Sequence, residues 1–180
     1  CIPIRTIPEM AQLLQEHPNS WIQHTQTPNN GYAKQLQFDR IHWTIPPKYR
    51  QKSDQWILLK RQDAMAIQSF DRSLPTPIWE CFKHTKASDE LWAATLLSMA
   101  SRLPKTHKQQ TTYVDWSESA RNPASFDLSK KFKEIRQTAA APTHLLARKF
   151  EKSADPQAAL EEWKRVVVLG AAAAAAAGIA

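Results

Sequence analysis

The sequence predicts an α/β domain. Segments with apolar residues at helical spacing alternate along the chain with short runs of strand-forming residues. The 180 residues are enough for one domain with a real core. With 42% hydrophobic and 23% charged residues, the composition is ordinary for a globular protein.

The elements follow in order. Ile7–His17 reads as a short helix, with Pro8 in its first turn, Met10, Leu13 and Leu14 as its apolar stripe, and Pro18 as its stop. Asn19–Gly31 is turn-rich, with a short strand at Trp21–Ile22 and a turn signal at Pro28–Gly31. Arg40–Ile45 alternates as a strand until Pro46 and Pro47 break it. Trp56–Leu59 is expected to be a buried strand leading into a helix at about Arg61–Phe70, where Ala64, Ile67 and Phe70 recur at helical spacing. Pro75 and Pro77 mark a loop, and Ile78–Lys83 a helical turn. Ser88 is the expected N-cap of a helix that carries Asp89 and Glu90 ahead of Leu91, Trp92, Leu96, Leu97 and Met99.

Leu103–Gln110 is a polar loop and Thr111–Trp116 a strand. A turn at Asn122–Ser125 precedes a cationic helix with Leu128, Phe132 and Ile135 on its stripe. Thr138–Pro142 links this helix to a last strand at His144–Ala147. Asp155 then caps a helix with Pro156 at its first position and Leu160, Trp163 and Val167 on its apolar face. The expected organisation is one domain over residues 1–165 and an Ala-rich, low-complexity tail over 166–180. The tail is too short for a membrane span, which needs about 20 apolar residues.

The net charge of +7 and pI near 9.5 describe a surface that attracts anions such as nucleic acid, anionic lipid or phosphorylated small molecules. The basic residues are scattered, which favours a solvated face over a nucleic-acid groove. Two cysteines, Cys1 and Cys81, are too few for a disulfide scaffold and have no zinc spacing. A single Cys1–Cys81 bridge is open to a chain in an oxidising compartment. Residue 1 is Cys rather than Met, and no signal segment opens the chain, so it is expected to be a piece of a longer precursor.

Three blocks carry candidate chemistry. In D-E-L-W-A-A-T, Asp89–Thr95, an adjacent acidic pair stands at a helix start. The pair either caps the helix, where the dipole favours carboxylates, or supplies a general base. Neighbours on a helix point about 100° apart, so one of Asp89 and Glu90 faces a cleft and the other caps or orients. In T-T-Y-V-D-W-S, Thr111–Ser117, Tyr113 and Asp115 share one strand face and Val114 and Trp116 the other. Trp116 is either core or a platform for a pyranose ring. In L-L-A-R-K-F, Leu145–Phe150, Arg148 and Lys149 are either a surface pair or cations at a strand exit, where α/β proteins bind ligands. Arg136 on the preceding helix is placed to join them. The chain has no Gly-rich phosphate loop, no D-x-D triplet, no metal-ligand histidine spacing and no G-x-S-x-G nucleophile motif. The six histidines, His107 and His144 among them, read as surface or packing residues.

These blocks resemble those of the core-2/I-branching β-1,6-N-acetylglucosaminyltransferase family, which includes the peptide O-xylosyltransferases, and look closest to its plant-like and algal-like branch. C-I-P-I-R-T at Cys1–Thr6, followed by Pro8–Leu14, is similar to the block before the family's acceptor-side helix. Gln55–Ala66 resembles its strand–helix segment. With D-E-L-W-A-A-T, T-Y-V-D-W-S and L-L-A-R-K-F, five blocks stand in order from Cys1 to Phe150.

The resemblance implies the C-terminal part of a GT-A-type fold, with a mixed sheet flanked by helices. It implies an inverting, metal-independent glycosyltransferase that moves a sugar from a UDP-sugar to a hydroxyl of a glycan or protein, in the Golgi or secretory-pathway lumen. No cofactor is expected; the partners are the UDP-sugar donor and a glycan or glycoprotein acceptor, with no nucleic acid. Glu90 becomes the catalytic base with Asp89 beside it. Lys149, Arg148 and Arg136 hold the donor diphosphate, and Trp116, Tyr113 and Arg5 line the sugar or acceptor site. The family's nucleotide-binding half precedes the C-I-P-I block, where this chain begins. That leaves a second reading, a non-catalytic relative kept as a structural subunit of a larger assembly and joined to partner chains. A basic nucleic-acid-binding module ranks third. Membrane attachment would come only through the expected upstream segment.

Overall fold

The computed structural model describes residues 1–26, 45–75, 77–83, 85, 87–117, 123–127, 134–135, 144–151 and 155–170. In chain order its elements are β1 (Ile2–Pro3), α1 (Ile7–Glu16), β2 (His24–Gln26), β3 (Gln51–Ser53), α2 (Arg61–Ser73), α3 (Ile78–Phe82), α4 (Trp92–Met99), β4 (Thr112–Val114), β5 (Leu146–Arg148) and α5 (Pro156–Trp163). Single 3-10 turns lie at Pro47–Tyr49, Ser88–Glu90 and Leu103–Lys105. Helices and strands do alternate, and the class is mixed α/β. The chain divides into two compact units, Cys1–Pro18 with Thr111–Ala180, and Asn19–Gln110.

The first unit is built on a mixed three-stranded sheet in the order β1-β5-β4. β1 runs antiparallel to β5, with Ile2 opposite Ala147. β4 runs parallel to β5, with Tyr113 opposite Ala147 and Val114 opposite Arg148. α1 starts in a capping box: Thr6 Oγ1 accepts the Glu9 N–H, and the Glu9 carboxylate accepts the Thr6 N–H at 2.6 Å. It ends at Glu16, ahead of Pro18, as the spacing predicts.

α5 begins as the sequence predicts, with Asp155 Oδ1 accepting the N–H groups of Gln157 and Ala158 at 3.0 Å and Pro156 in the first turn. Of its expected apolar face, Trp163 and Val167 reach the core, and Leu160 does not. Leu160 is exposed and Ala159 is buried in its stead, while the Trp163 indole N–H donates to the Pro3 carbonyl at 2.8 Å. That bond fixes the rotation of the helix. A π-helical stretch, Lys164–Leu169, continues it and brings Val166 and Val167 into a core with Ile4, Phe126, Ile135 and Ala147. Two residues of the expected tail are therefore core residues.

The second unit pairs β2 with β3 antiparallel, His24 opposite Ser53 and Gln26 opposite Gln51. Its core gathers Ile22, Ile45, Ile67, Ile78, Phe82, Leu91, Leu96 and Leu97. The strands expected at Trp21–Ile22 and Trp56–Leu59 reduce to one bridge, Trp21 N–H to Leu58 O at 2.9 Å and Leu58 N–H to Trp21 O at 3.0 Å. Residues 56–59 are half-buried rather than buried. The expected loop at Leu103 begins with a 3-10 turn whose Leu103 is buried.

A buried carboxylate, Asp63 on α2, accepts from Ser20 Oγ at 2.6 Å and from the Arg102 guanidinium. Its charge is thus paired, as burial of a carboxylate requires. α4 closes on a Schellman motif: Ser101 is left-handed at φ 56°, Arg102 N–H donates to Leu97 O at 2.8 Å and Ser101 N–H to Ser98 O at 3.1 Å.

The Pro28–Gly31 turn, the Leu128 and Phe132 stripe, the Thr138–Pro142 linker, most of the Arg40–Ile45 strand and Asn122 of the expected turn lie outside the described residues. Cys1 and Cys81 are free thiols. Among the described residues no helix is long and apolar enough to cross a membrane.

Candidate active site

In the second unit the acidic pair stands on the 3-10 turn Ser88–Glu90 rather than in the first turn of α4. Ser88 does not cap. It opens the turn, and the cap position falls to Ala87, which is left-handed at φ 50°, ψ 47° and makes no side-chain cap bond. The turn closes on itself, with Glu90 N–H donating to Ala87 O at 3.0 Å and Leu91 N–H to Ser88 O at 3.1 Å. Leu91 is fully buried and the apolar run from Ala93 to Leu97 is buried all round, so α4 starts only after Leu91. A left-handed alanine costs about 1–2 kcal/mol. Such backbone strain is sustained only where surrounding contacts fix the chain.

Those contacts come from β3, residue by residue. Thr95, the threonine of D-E-L-W-A-A-T, is fully buried and bonds both backbone groups of Gln51. Its Oγ1 accepts the Gln51 N–H at 3.1 Å and lies 3.2 Å from the Gln51 carbonyl, to which it donates. Ser53 Oγ donates to the Glu90 carbonyl at 3.2 Å. Between them, Lys52 Nζ stands 2.8 Å from Glu90 Oε2, with both side chains a little over one quarter exposed. Glu90 is half-buried and Asp89 exposed, so the two neighbours divide between a contacted and a solvent-facing side. Lys52 is a site residue the sequence reading missed. Three residues, Gln51–Ser53, make too short a strand to stand out by pattern, and its pairing to the acidic turn is non-local.

In the first unit Tyr113 lies on β4 and Arg148 on β5, with Trp116 and Lys149 just beyond those strands and Arg5 after β1. Tyr113 is half-buried and meets the His144 ring edge-on, centroids 5.8 Å apart at 81°. Burial, and then the Asp115 carboxylate, raise the Tyr113 pKa above 10.0, so its hydroxyl keeps its proton at neutral pH. Arg5 Nε donates to the His144 carbonyl at 2.7 Å, so Arg5 and Tyr113 share His144 as neighbour. His144 is buried and belongs to this group as a packing residue.

Arg148 is half-buried on β5, one register step from the Tyr113 pair, and Lys149 just beyond it is exposed. Phe126 N–H donates to the Lys149 carbonyl at 2.9 Å, fixing the strand exit. Trp116 is 51% exposed, so it is not core. Asp115 Oδ1 accepts the Ser117 N–H at 2.8 Å, a turn that ends β4 and sends Trp116 to the surface. Arg136 lies outside the described residues.

The groups present can do two kinds of chemistry. A partly exposed carboxylate next to an ammonium can take a proton from a hydroxyl brought to it. Fixed cations at a strand exit can hold a phosphate. Among the described residues no cluster of three or more His, Cys, Asp or Glu side chains is gathered to hold a metal ion.

Residues 1–138 of the chain match the family model for the Core-2/I-Branching enzymes. The match takes in the blocks at Cys1–Thr6, Gln55–Ala66, Asp89–Thr95 and Thr111–Ser117, and stops before Leu145–Phe150. No curated protein and no solved structure matches the chain.

Proposed function

The chain belongs to the core-2/I-branching enzyme family, whose members are glycosyltransferases acting on sugar donors and glycan acceptors, and we propose that it serves an inverting, metal-independent transfer from a UDP-sugar to a hydroxyl of a glycan or protein. In this reading Glu90 removes the proton of the acceptor hydroxyl as its oxygen attacks the anomeric carbon. The bond from that carbon to the UDP oxygen breaks, and the departing diphosphate carries away the electron pair. Lys149, Arg148 and Arg136 balance its charge, which replaces a metal ion by permanent cations. Trp116 offers its exposed ring to a sugar, and Tyr113 and Arg5 form the polar side of that site. The fold is of the GT-A type, the branch is plant-like or algal-like, and the compartment is the Golgi lumen, where members of this family typically work.

The observation that carries the reading is the Glu90 carboxylate, held on a strained turn, partly open to solvent and tied by one lysine. A base needs such a position, because it must be fixed and yet reachable. The test is donor-dependent sugar transfer by the full-length protein and by Glu90→Gln. The reading fails if the variant keeps the full rate. The same ion pair also supports a second reading, in which Glu90 is a structural tie in a non-catalytic relative. In that case neither protein transfers sugar, and Glu90→Gln lowers the melting temperature instead.

A further inference from the structure

On the second unit, α2, α3 and α4 border a groove of about 470 Å³ that the proposed transfer leaves unused. This lies within the roughly 300–1,000 Å³ of small-ligand clefts. Trp79 on α3 stands 45% exposed in it, braced edge-on by Trp92 of α4 with ring centroids 5.9 Å apart at 75°. Arg61, Met65, Gln68 and Arg72 line it from α2, at the i, i+4, i+7 and i+11 spacing of one helix face. Met65 is 55% exposed and extends the apolar wall. Among the described residues no side-chain hydrogen bond or ion pair engages Arg61, Gln68 or Arg72. Asp71 also lines the groove, but its Oδ1 accepts the backbone N–H of Trp79 at 3.2 Å and so ties the start of α3 to α2.

The groove thus pairs one aromatic platform with a rim of two guanidinium groups and an amide. An indole ring is a large apolar face, and the C–H face of a pyranose is its natural complement. Guanidinium forks bind carboxylate or sulfate oxygens in pairs. We propose that this groove binds an anionic oligosaccharide segment of the acceptor, with one ring stacked on Trp79 and the carboxylates or sulfates of different sugar units held by Arg61 and Arg72, which stand about 16 Å apart along α2. That the ligand is part of an acceptor rests on the glycosyltransferase reading; the binding chemistry does not. A single exposed ring flanked by two spaced cations suits a short run of sugar acids better than a strand of stacked bases, for which several platforms are needed.

The experiment is calorimetric titration of the full-length protein with tetragalacturonate, with its methyl ester as the uncharged control and with an oligothymidine. The uronate is expected to bind. Trp79→Ala, Arg72→Gln and esterification should each weaken binding tenfold or more. Arg72 is exposed, so its variant tests the site even if Trp79→Ala does not fold. Absence of uronate binding, affinity unchanged in Arg72→Gln, or tighter binding of the oligothymidine overturns the proposal. Uronate binding without sugar transfer sinks the transfer reading alone, and sugar transfer without uronate binding sinks this one alone.

Discussion

Lys52 Nζ lies 2.8 Å from Glu90 Oε2, which makes a strand lysine the partner of the acid in D-E-L-W-A-A-T. The pair is partly exposed, and such pairs contribute at most about 1 kcal/mol to stability. Its importance is therefore in where it holds the carboxylate. Lys52→Met is expected to lower the transfer rate about tenfold, equivalent to about 1.4 kcal/mol of barrier. The melting temperature should barely move. Parallel rate and melting measurements check this; a large stability loss with an unchanged rate would make the pair purely structural.

Thr95 ties β3 to α4 through both backbone groups of Gln51. Thr95→Val keeps the shape and removes both bonds, which leaves buried backbone groups unsatisfied at about 1–3 kcal/mol each. A destabilisation of about 2–3 kcal/mol is expected in chemical denaturation. Because Lys52 rides on the same strand, the rate should fall with it.

Ala87 is left-handed immediately before the acidic turn. Glycine takes that conformation without the Cβ clash, although it loses more chain entropy on folding. Ala87→Gly should therefore stabilise the protein by roughly 0.5–1 kcal/mol. Denaturation midpoints decide it, and a destabilised variant would show that the turn is not strained.

The parts of the fold written in local chemistry were legible in the sequence. Pro8 and Pro18 bounded α1, and Asp155 with Pro156 opened α5. Arg61–Ser73 formed a helix slightly longer than its spacing predicted. What depended on distant contacts was not legible. β2 and β3 are three residues each and exist because they pair with one another. Ser88 has the chemistry of a cap, but the burial of Leu91 delayed the helix and left the cap position to an alanine with no preference for it. On α5 the spacing identified Trp163 and Val167 as inward, but not the exposure of Leu160, because the rotation of the helix is fixed by the bond from Trp163 to Pro3, which spans nearly the whole chain. Among the candidate residues, Glu90 on the second unit and those of β4 and β5 on the first stood out by residue type, whereas Lys52 emerged only from the contact of β3 with the acidic turn.

His24, on β2, has a pKa lowered from 6.5, chiefly by burial; the 3.3 Å contact with Gln51 raises it and nearby Lys108 lowers it further. The folded state therefore favours the neutral ring, and the unfolded state binds the proton more readily. Its contribution is fully present above about pH 6.5 and is lost as pH falls toward the folded value, so stability rises with pH across that window. Melting curves between about pH 7.5 and pH 5 should show this loss, and His24→Gln should flatten it. An equal slope in both proteins would assign the dependence to other groups.

The most direct measurement is the rate of sugar transfer from a UDP-sugar by the full-length protein, wild type against Glu90→Gln. Loss of a general base costs about 10²–10⁴ in rate. The variant should fall by at least about 100-fold with its melting temperature and donor affinity near wild type. A Glu90→Gln protein that transfers sugar at the wild-type rate would contradict the assignment of Glu90 as the base.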